Sequence, residues 1–557
     1  MKTRSQNIGV RGAFNALIDK TRKSIDNFNV SSRTQARFLR DTRSNILSTR
    51  PAVLTNSRDD IRIAWQRSAG LAMDLMQNSG RLSGAADQVI ADTVGSALEL
   101  APKPDTATLR KLGYDEKEIA EFITLIKREW NWWSKSPSEC DHRGKLTVPQ
   151  MIDVGLRWHM AFGEITQIMT YMSVAERAKY GIKTGTKVLM VTPSKLVQDT
   201  NSFEQIFQGI IHDGNGRPEK YRFLESGYPG IIKKDYLARD KFGMPIVVHI
   251  FDPNDATDMR GISRLTPAFR KHIQHEMLDD ATVQTAILQT VFAATLTSPL
   301  PSVDVFEGIE GIKETLPSEV RESFGEVFGE LYANAIENSK KGGVNLSADP
   351  QISHLAPGEE FKMHGTATPG PQYQSFSAAL DREMARAIGI TYESFTLDNA
   401  GATYSSSRVG NSSIWPVVVR RRQRIAAPQA QVIYEAFLDE AIGTGRIPFK
   451  GGHKSLIANR EKICSAQWRG PAKPSADDDK SARASGRRLE NRTSTLEIEA
   501  ADLGYDHNEL IETQIREHKK YKEAGMTSPY DPKTPGGAVI KTIDDLDLEK
   551  KPDEVVQ

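Results

Sequence analysis

The chain has 557 residues, 38% of them hydrophobic, a formal net charge of +1 and two cysteines, Cys140 and Cys464. That much apolar material can core roughly two to four structural units. Two cysteines so far apart exclude a disulfide framework, the absence of an apolar run of about 18 residues excludes a helical membrane span, and near-neutral charge excludes a global attraction to nucleic acid.

The opening segment MKTRSQNIGVRG lacks the apolar stretch of a signal peptide, so the expectation is a soluble protein not secreted by that route. Residues 1–50 carry eleven Lys or Arg against Asp19, Asp26 and Asp41. This polar, basic arm, 1–57, suits either contact with a polyanion or a solvated helix surface. Ile61, Trp65, Ala69, Ala72 and Met76 recur at helical spacing over 58–79, and Asn78-Ser79-Gly80 stops the run. A second helix is expected at about 82–95 and a short strand near 96–100. An amphipathic helix at 115–134 ends on Trp130, Trp132 and Trp133, which read as core anchors. After a helix at 147–162 the period changes. TKVLMVTPSKLV, the turn His212–Gly216 and the β-prone IVVHIF at 246–251 give the pattern of an antiparallel sheet with hairpins.

The longest expected element is a helix from Ser263 to Leu296, striped by Leu265, Phe269, Ile273, Met277, Val283, Ile287, Val291 and Ala294. Ser263 suits its N-cap, Pro267 its first turn and Ser298-Pro299 its end; at 1.5 Å per residue it would span roughly 50 Å. Asp279, Asp280, Gln284 and Gln289 interrupt the stripe, so most of this surface expects water, polar neighbours or a solvated channel. A small strand and helix module follows, in which Phe324, Val327, Phe328, Leu331 and Tyr332 recur at helical spacing between Ser318 and Ser339. Helical period returns at 373–390 and from about 404 to 442, where Pro416 and Pro428 predict kinks. Ahead of and inside that last helix lies a polar run, Asn399, Thr403, Ser405, Ser406, Ser407, Asn411 and Ser412, which on residues alone reads as a flexible surface loop. Polar helices are expected near 477–501 and 506–524, and 526–557 reads as a flexible acidic tail. No internal repeat is evident. The fold class expected is α+β, mostly helical, with small antiparallel sheets.

Candidate chemistry is thin. His272, His275 and Glu276 bring two imidazoles and a carboxylate onto one helix, but the spacing is neither HExxH nor its inverse. Cys140 and His142 sit in a turn without a second Cys pair. Gly451-Gly452-His453-Lys454-Ser455 fails the phosphate-loop register, because His453 stands where glycine must let backbone N–H groups wrap a phosphate. Tyr404–Arg408 offers hydroxyls without a paired base, and no GxSxG elbow occurs. Asp477, Asp478 and Asp479 fit a helix N-terminus better than a metal site. No catalytic, cofactor or metal residue is therefore assigned.

The succession of elements resembles the lambda-type portal proteins of tailed phages. The resemblance is carried by VHIFDPNDATDMRGISRLTPAFRKHIQHEMLDDATVQTAILQTVFAAT, by LAPGEEFKMHGTATPGPQYQSFSAALDREMARAIGITYESFTLDNAGATYSSSR, and by AQWRGPAKPSADDDKSARA followed by ADLGYD. It runs over roughly residues 60 to 525 in the family's order. It implies a homo-oligomeric ring, usually of twelve subunits, at one capsid vertex of the virion and assembled in the host cytoplasm. Double-stranded DNA would pass through its axis regardless of sequence, driven by the terminase large subunit, and the ring would later join head to tail through an adaptor protein. Major capsid protein and scaffold are further implied partners, and no membrane. The absent phosphate loop agrees with a motor whose ATPase lies in another protein.

By this likeness 58–262 and 391–474 would form the wing, 263–296 and 373–390 the stem helices, 297–372 the clip that meets terminase and adaptor, and 475–525 the crown. The hydroxyl run would line the tunnel and Phe324, Val327, Phe328, Leu331 and Tyr332 would serve the clip. Arg420, Arg421, Arg422 and Arg424 would make intersubunit or phosphate contacts. A channel passing DNA of any sequence must not grip it, since each neutralised phosphate adds affinity, and a short polar lining meets that need. The competing expectation is a phage-particle hydrolase, a metalloprotease or nuclease, built on His272, His275 and Glu276. Stoichiometric zinc in the purified protein would distinguish it from the channel.

Overall fold

The computed structural model describes residues 54–227, 230–292, 370, 372–474 and 478–531. The chain divides at Asp60 into two units, 1–60 and 61–557. Of the first, the described part holds the start of a helix and a hydrogen bond from the Thr55 hydroxyl to Asp60. The basic arm up to residue 53, nearly all of the 297–372 segment expected to form a clip and the acidic stretch beyond 531 lie outside the described residues.

Apolar spacing and side-chain caps place most helices where the sequence expects them. Helices α1 (Ser57–Asn78) and α2 (Gly80–Val94) lead into β1 (Glu99–Pro102), slightly later than expected. Asp105 caps α3 (Thr106–Lys111), and an Asp115–Glu118 capping box opens α4 (Glu116–Ser134). After the single turn α5 (Pro137–Cys140), a Thr147–Gln150 box opens α6 (Val148–Phe162), which stops at Gly163 with φ +83°. That glycine is required twice over, because a Cβ there would also lie 2.2 Å from the Ile262 backbone.

Strand β2 (Glu164–Tyr171) follows directly, then α7 (Val174–Tyr180), β3 (Thr186–Met190), β4 (Ile206–Phe207), β5 (Ile210–His212), β6 (Pro218–Ser226), β7 (Ile231–Leu237) and β8 (Val247–Phe251). They make two antiparallel sheets, ordered β3-β2-β8 and β4-β5-β6-β7, and the expected His212–Gly216 turn joins β5 to β6. The central strand β2 is not evident from the sequence because Glu164, Thr166 and Gln167 are buried polar residues that spoil any apolar alternation.

The long helix is α8 (Phe269–Phe292), shorter at its start than expected. Ser263 does not cap it: its hydroxyl donates to the Met160 carbonyl and accepts from Leu265 N, and Pro267 falls in the turns before the helix. Next come α9 (Tyr373–Ile388), the short α10 (Tyr392–Thr396) and α11 (Tyr404–Arg421). The helix passes Pro416 without a break, and the irregularity lies instead in a π-helical turn at Arg422–Ala426, after which α12 (Ala427–Gly443) carries Pro428 in its first turn.

The remaining elements are α13 (Gly452–Ile463), β9 (Ala466–Arg469), which pairs antiparallel with β1, then α14 (Asp478–Glu490), α15 (Leu496–Asp502) and α16 (His507–Glu523). The single helix expected at 477–501 is thus two, parted by a turn in which Arg492 has φ +57° and Thr495 caps α15. A short repeat also emerges, contrary to the expectation of none. Leu112-Gly113-Tyr114-Asp115 and Leu503-Gly504-Tyr505-Asp506 form the same corner twice. In each, the glycine takes positive φ, the tyrosine N–H reaches back to the preceding helix (Leu109 O, 3.1 Å; Ala500 O, 2.8 Å) and the aspartate caps the next one.

Among the described residues three apolar clusters hold the fold. The largest joins α4, α6 and α12: Trp130 and Trp133 pack on Tyr434 and Phe437, while Trp132 stays partly exposed beneath Lys183 and Arg446. Trp130 and Trp133 are core anchors as expected, and Trp132, 38% exposed, is not. A second cluster gathers Trp65, Leu82, Phe162, Leu265, Phe269 and Met384 around the start of α8, and a third, with Ile168, Leu196, Phe223 and Val247, lies between the two larger sheets.

Candidate functional site

The approach to α8 is fixed by a charge cluster without solvent access. The Arg260 guanidinium donates through Nε to both Glu164 oxygens, at 2.8 and 2.9 Å, and through Nη1 to the Gln208 carbonyl at 2.9 Å. It lies 4.6 Å from the centre of the Trp65 ring. His249 Nε2 stands 2.9 Å from the second Glu164 oxygen. Burial alone would raise the Glu164 pKa, but the Arg260 charge and the His249 contact outweigh it and hold the carboxyl at about 2.

From this anchored start α8 runs against α9. Lys271 faces Glu383, His275 faces Ser377 and Asp381, and Asp279 faces Tyr373, so the two helices are antiparallel. His272 and His275 have no exposed side-chain surface. His275 is held by Ser377, by Arg81 and by the carboxylates of Asp279 and Asp381, and His272 lies 3.0 Å from Glu276. Burial lowers the His272 pKa and raises that of Asp381. His275 therefore serves as an interhelix strut, His272 lies buried beside Glu276 of its own helix, and neither imidazole has exposed surface through which a hydrolase substrate could reach it. Among the described residues no group of three or more His, Cys, Asp or Glu side chains could hold a metal ion. Beyond this strut the apolar stripe of α8 comes to the surface: Leu265 and Phe269 are buried, whereas Met277, Val283 and Ile287 are more than half exposed.

The polar run is less of a loop than the sequence suggests. Asn399 alone lies in the turn between α10 and α11, exposed. Thr403 is the N-cap of α11 and forms a capping box with Ser406, whose hydroxyl contacts both the Thr403 N–H and its carbonyl. Ser405, Ser406 and Ser412 are exposed on the helix, Ser407 and Asn411 are half-buried, and Lys473 donates to the Ser412 hydroxyl. Hydroxyl side chains that cap make a helix start, which is why a stretch that looks like loop composition is ordered here. Along the 18 residues of α11, Val418 is the one buried side chain among those whose burial is described.

At the far end of α11 the four arginines part company. Arg421 donates to the Ile388 carbonyl at 2.8 Å, and Arg422 donates to the carbonyls of Thr93 and Pro471. A Cβ at Gly470 would lie 2.4 Å from Arg422 Nε, so this anchor needs glycine beside it. These two are intrachain anchors rather than the intersubunit or phosphate contacts expected. Arg420 and Arg424 stay exposed and converge on Asp252. Of the other motifs, Cys140 is buried with its thiol pushed up to about 12 by desolvation, and His142 bonds Thr170. Gly451, at φ +85°, caps α13 instead of wrapping a phosphate, and Asp478 and Asp479 occupy the first turn of α14. The clip candidates Phe324, Val327, Phe328, Leu331 and Tyr332 lie outside the described residues. No described helix is long and apolar enough to cross a membrane.

The sequence that builds these elements is matched by known proteins. The model of the family described as phage portal protein, lambda family, matches residues 43–422. The chain belongs to that family and is a portal protein of the lambda type. Among its relatives, portal protein B of Escherichia phage lambda is 26% identical over 474 residues, covering 84% of this chain and 86% of the relative. The portal protein of Escherichia phage N15 is 25% identical over the same shares. Of solved structures, a chain from the neck of an empty GTA particle computed with C6 symmetry aligns with 66% of this chain and 82% of its own, at 13% identity and a TM-score of 0.35. One from the neck of a native GTA particle computed with C12 symmetry aligns with 75% and 98%, at 12% identity and 0.31. Scores this low carry no argument about the fold.

Proposed function

We propose that this portal protein assembles into a closed homo-oligomeric ring, twelve-membered as the sequence resemblance implies, at one vertex of the virion capsid. Double-stranded DNA is packaged through its axis by the terminase motor and later ejected, and the ring joins head to tail through an adaptor. In this reading 58–262 and 391–474 form the wing, 263–296 and 373–390 the stem, 297–372 the clip and 475–525 the crown. Asn399 and the exposed hydroxyl face of α11 line the tunnel. Capsid protein and scaffold meet the outer surface.

The observation that carries this is uncovered helical surface. An 18-residue helix with a single buried side chain among those described, and a stem helix whose Met277 and Val283 are more than half exposed, present surface that the described residues leave uncovered. Neighbouring copies arranged about an axis would cover the stripe and leave the hydroxyl face towards the hole. Sedimentation velocity together with negative-stain images of the purified full-length protein tests the reading. Rings with a central hole are expected. Monomers alone, across salt and pH conditions and with capsid partners present, would overturn it.

A further inference from the structure

We propose that Arg264, Arg420 and Arg424 form a binding site for the phosphates of duplex DNA, and that Asp252 is a built-in competitor that occupies the site between contacts. The proposal rests on the channel reading and names a second surface within it.

Three guanidiniums converge on one carboxylate. Arg264 Nη2 lies 2.7 Å from Asp252 Oδ2, Arg420 Nη2 lies 3.2 Å from the same oxygen, and Arg424 Nη1 lies 3.0 Å from Oδ1. Asp252 is only 14% exposed while the three arginines are 39%, 58% and 54% exposed, so the carboxylate sits at the bottom and the cations stand open to solvent. Among the described residues a single carboxylate faces three guanidiniums, which leaves two positive charges unmatched there. Each guanidinium also has five donors, most of which point at no protein acceptor here. Behind the cluster the field is positive as well. Arg421 has an unpartnered Nη1, and His159, buried with both ring nitrogens unpartnered, is pushed down to about 3 by burial and by the charges of Arg264 and Arg421.

The place of the cluster selects the ligand. Ser406, Ser413 and Arg420 are spaced seven residues apart, two turns each, so they share one face of α11, and all three are exposed. The hydroxyl face proposed to line the tunnel therefore runs directly into the arginines. Short hydroxyls leading to open guanidiniums suit a phosphodiester strand, which offers acceptor oxygens at regular spacing and is contacted by Ser, Thr and Arg in this way. A phosphate that takes the donors now spent on Asp252 must displace it, so full engagement of the three arginines is weakened by a competing anion already in place. This reconciles a basic cluster with a strand that has to keep moving.

Binding of a short labelled duplex of arbitrary sequence to the assembled full-length protein, followed by fluorescence anisotropy across a salt series, tests the proposal. Arg420→Gln with Arg424→Gln should weaken binding at 0.1 M salt by about 8-fold for each phosphate left without its arginine, and should lower the salt slope by about 0.9 for each. Asp252→Asn should do the opposite, tightening binding and steepening the slope. Unchanged binding in the arginine variant, or weaker binding in an Asp252→Asn protein that melts like the parent, overturns the proposal. So does a fall in oligomer mass with duplex binding per ring preserved, which would assign the arginines to a carboxylate of a neighbouring copy. Asn411→Lys separates this outcome from the channel reading. If it tightens binding while the arginine and Asp252 variants do nothing, only the arginine site falls; if none of them changes binding, the tunnel assignment of α11 falls too.

Discussion

Replacing Arg260 by Met should destabilise the protein by about 3–5 kcal/mol at pH 8, because it strands the Glu164 carboxylate at a site with no solvent exposure. The side chain removed makes three contacts with Glu164 and one with the Gln208 carbonyl, and covers the Trp65 ring. What remains for the carboxylate is His249 and the Gly261 N–H. At about 2 °C per kcal/mol for a large unit, the melting temperature should fall by about 6–10 °C. The pH dependence is the sharper readout, because its sign reverses. In the parent, the Glu164 pKa of about 2 lies below its ordinary value of 4.5, so its contribution is complete above pH 4.5 and is lost as pH falls towards 2. Without the guanidinium, burial raises the same pKa above its unfolded value, so the variant should regain stability as pH falls from 8 through that raised pKa, by protonating the stranded acid. Adding Glu164→Gln should recover most of the deficit at pH 8, since no charge is then left unpaired. A destabilisation below about 1 kcal/mol, or a double variant no better than the single one, would refute the account of this cluster as a mutually dependent pair.

Three further outcomes follow from named residues. His159 is neutral in the folded chain with a pKa of about 3, against an ordinary value of 6.5, so the unfolded chain takes up a proton that the folded chain refuses and stability should drop between pH 6.5 and 4.5 by up to about 1.4 kcal/mol per pH unit; urea midpoints across that window should show a shallower drop in His159→Leu. Asn411→Lys and Ser412→Lys should slow DNA packaging at low salt, with partial relief as salt screens the added charges, whereas Ala at either position should package normally. Ser406→Ala is expected to behave differently, lowering the melting temperature through loss of the Thr403–Ser406 capping box.

The sequence was most legible where a helix has a buried face and a side-chain cap. Trp65, Trp130 and Trp133 anchor helices where their spacing puts them, and Asp115, Thr147 and Asp506 start the helices that follow. It was least legible where polar side chains are buried. Glu164, Thr166 and Gln167 hid the central strand, and no local pattern marks Arg260, whose whole guanidinium is enclosed. Ser263 and Pro267 carry a correct kind of signal at the wrong place, because the Ser263 hydroxyl is engaged by Met160 across the fold, a partner that no local pattern reveals. The polar run misled through composition: Thr403 and Ser406 resemble a loop until they are seen to cap one another. Of the arginines near the π turn, spacing distinguished none. Which ones are anchored depends on carbonyls of Thr93, Ile388 and Pro471, all distant in sequence.

The twin Leu-Gly-Tyr-Asp corners sit in opposite surroundings. Around the first, Tyr114 is buried against Phe122 and Phe449, whereas around the second Tyr505 is 61% exposed and neither α14 nor α16 buries a residue. The same corner, with glycine φ of +87° and +84°, forms with and without aromatic neighbours, so its local residues carry the bend. What moors the second corner is ionic: Lys127 and Arg469 meet Asp506, and Lys103 meets Glu497. One polypeptide thus contains two seams of different chemistry, a greasy one that temperature and urea govern and a charged one that answers also to ionic strength. Raising salt should loosen the exposed Lys103–Glu497 tie, while the largely buried pairs on Asp506 and the tryptophan-lined interior hold.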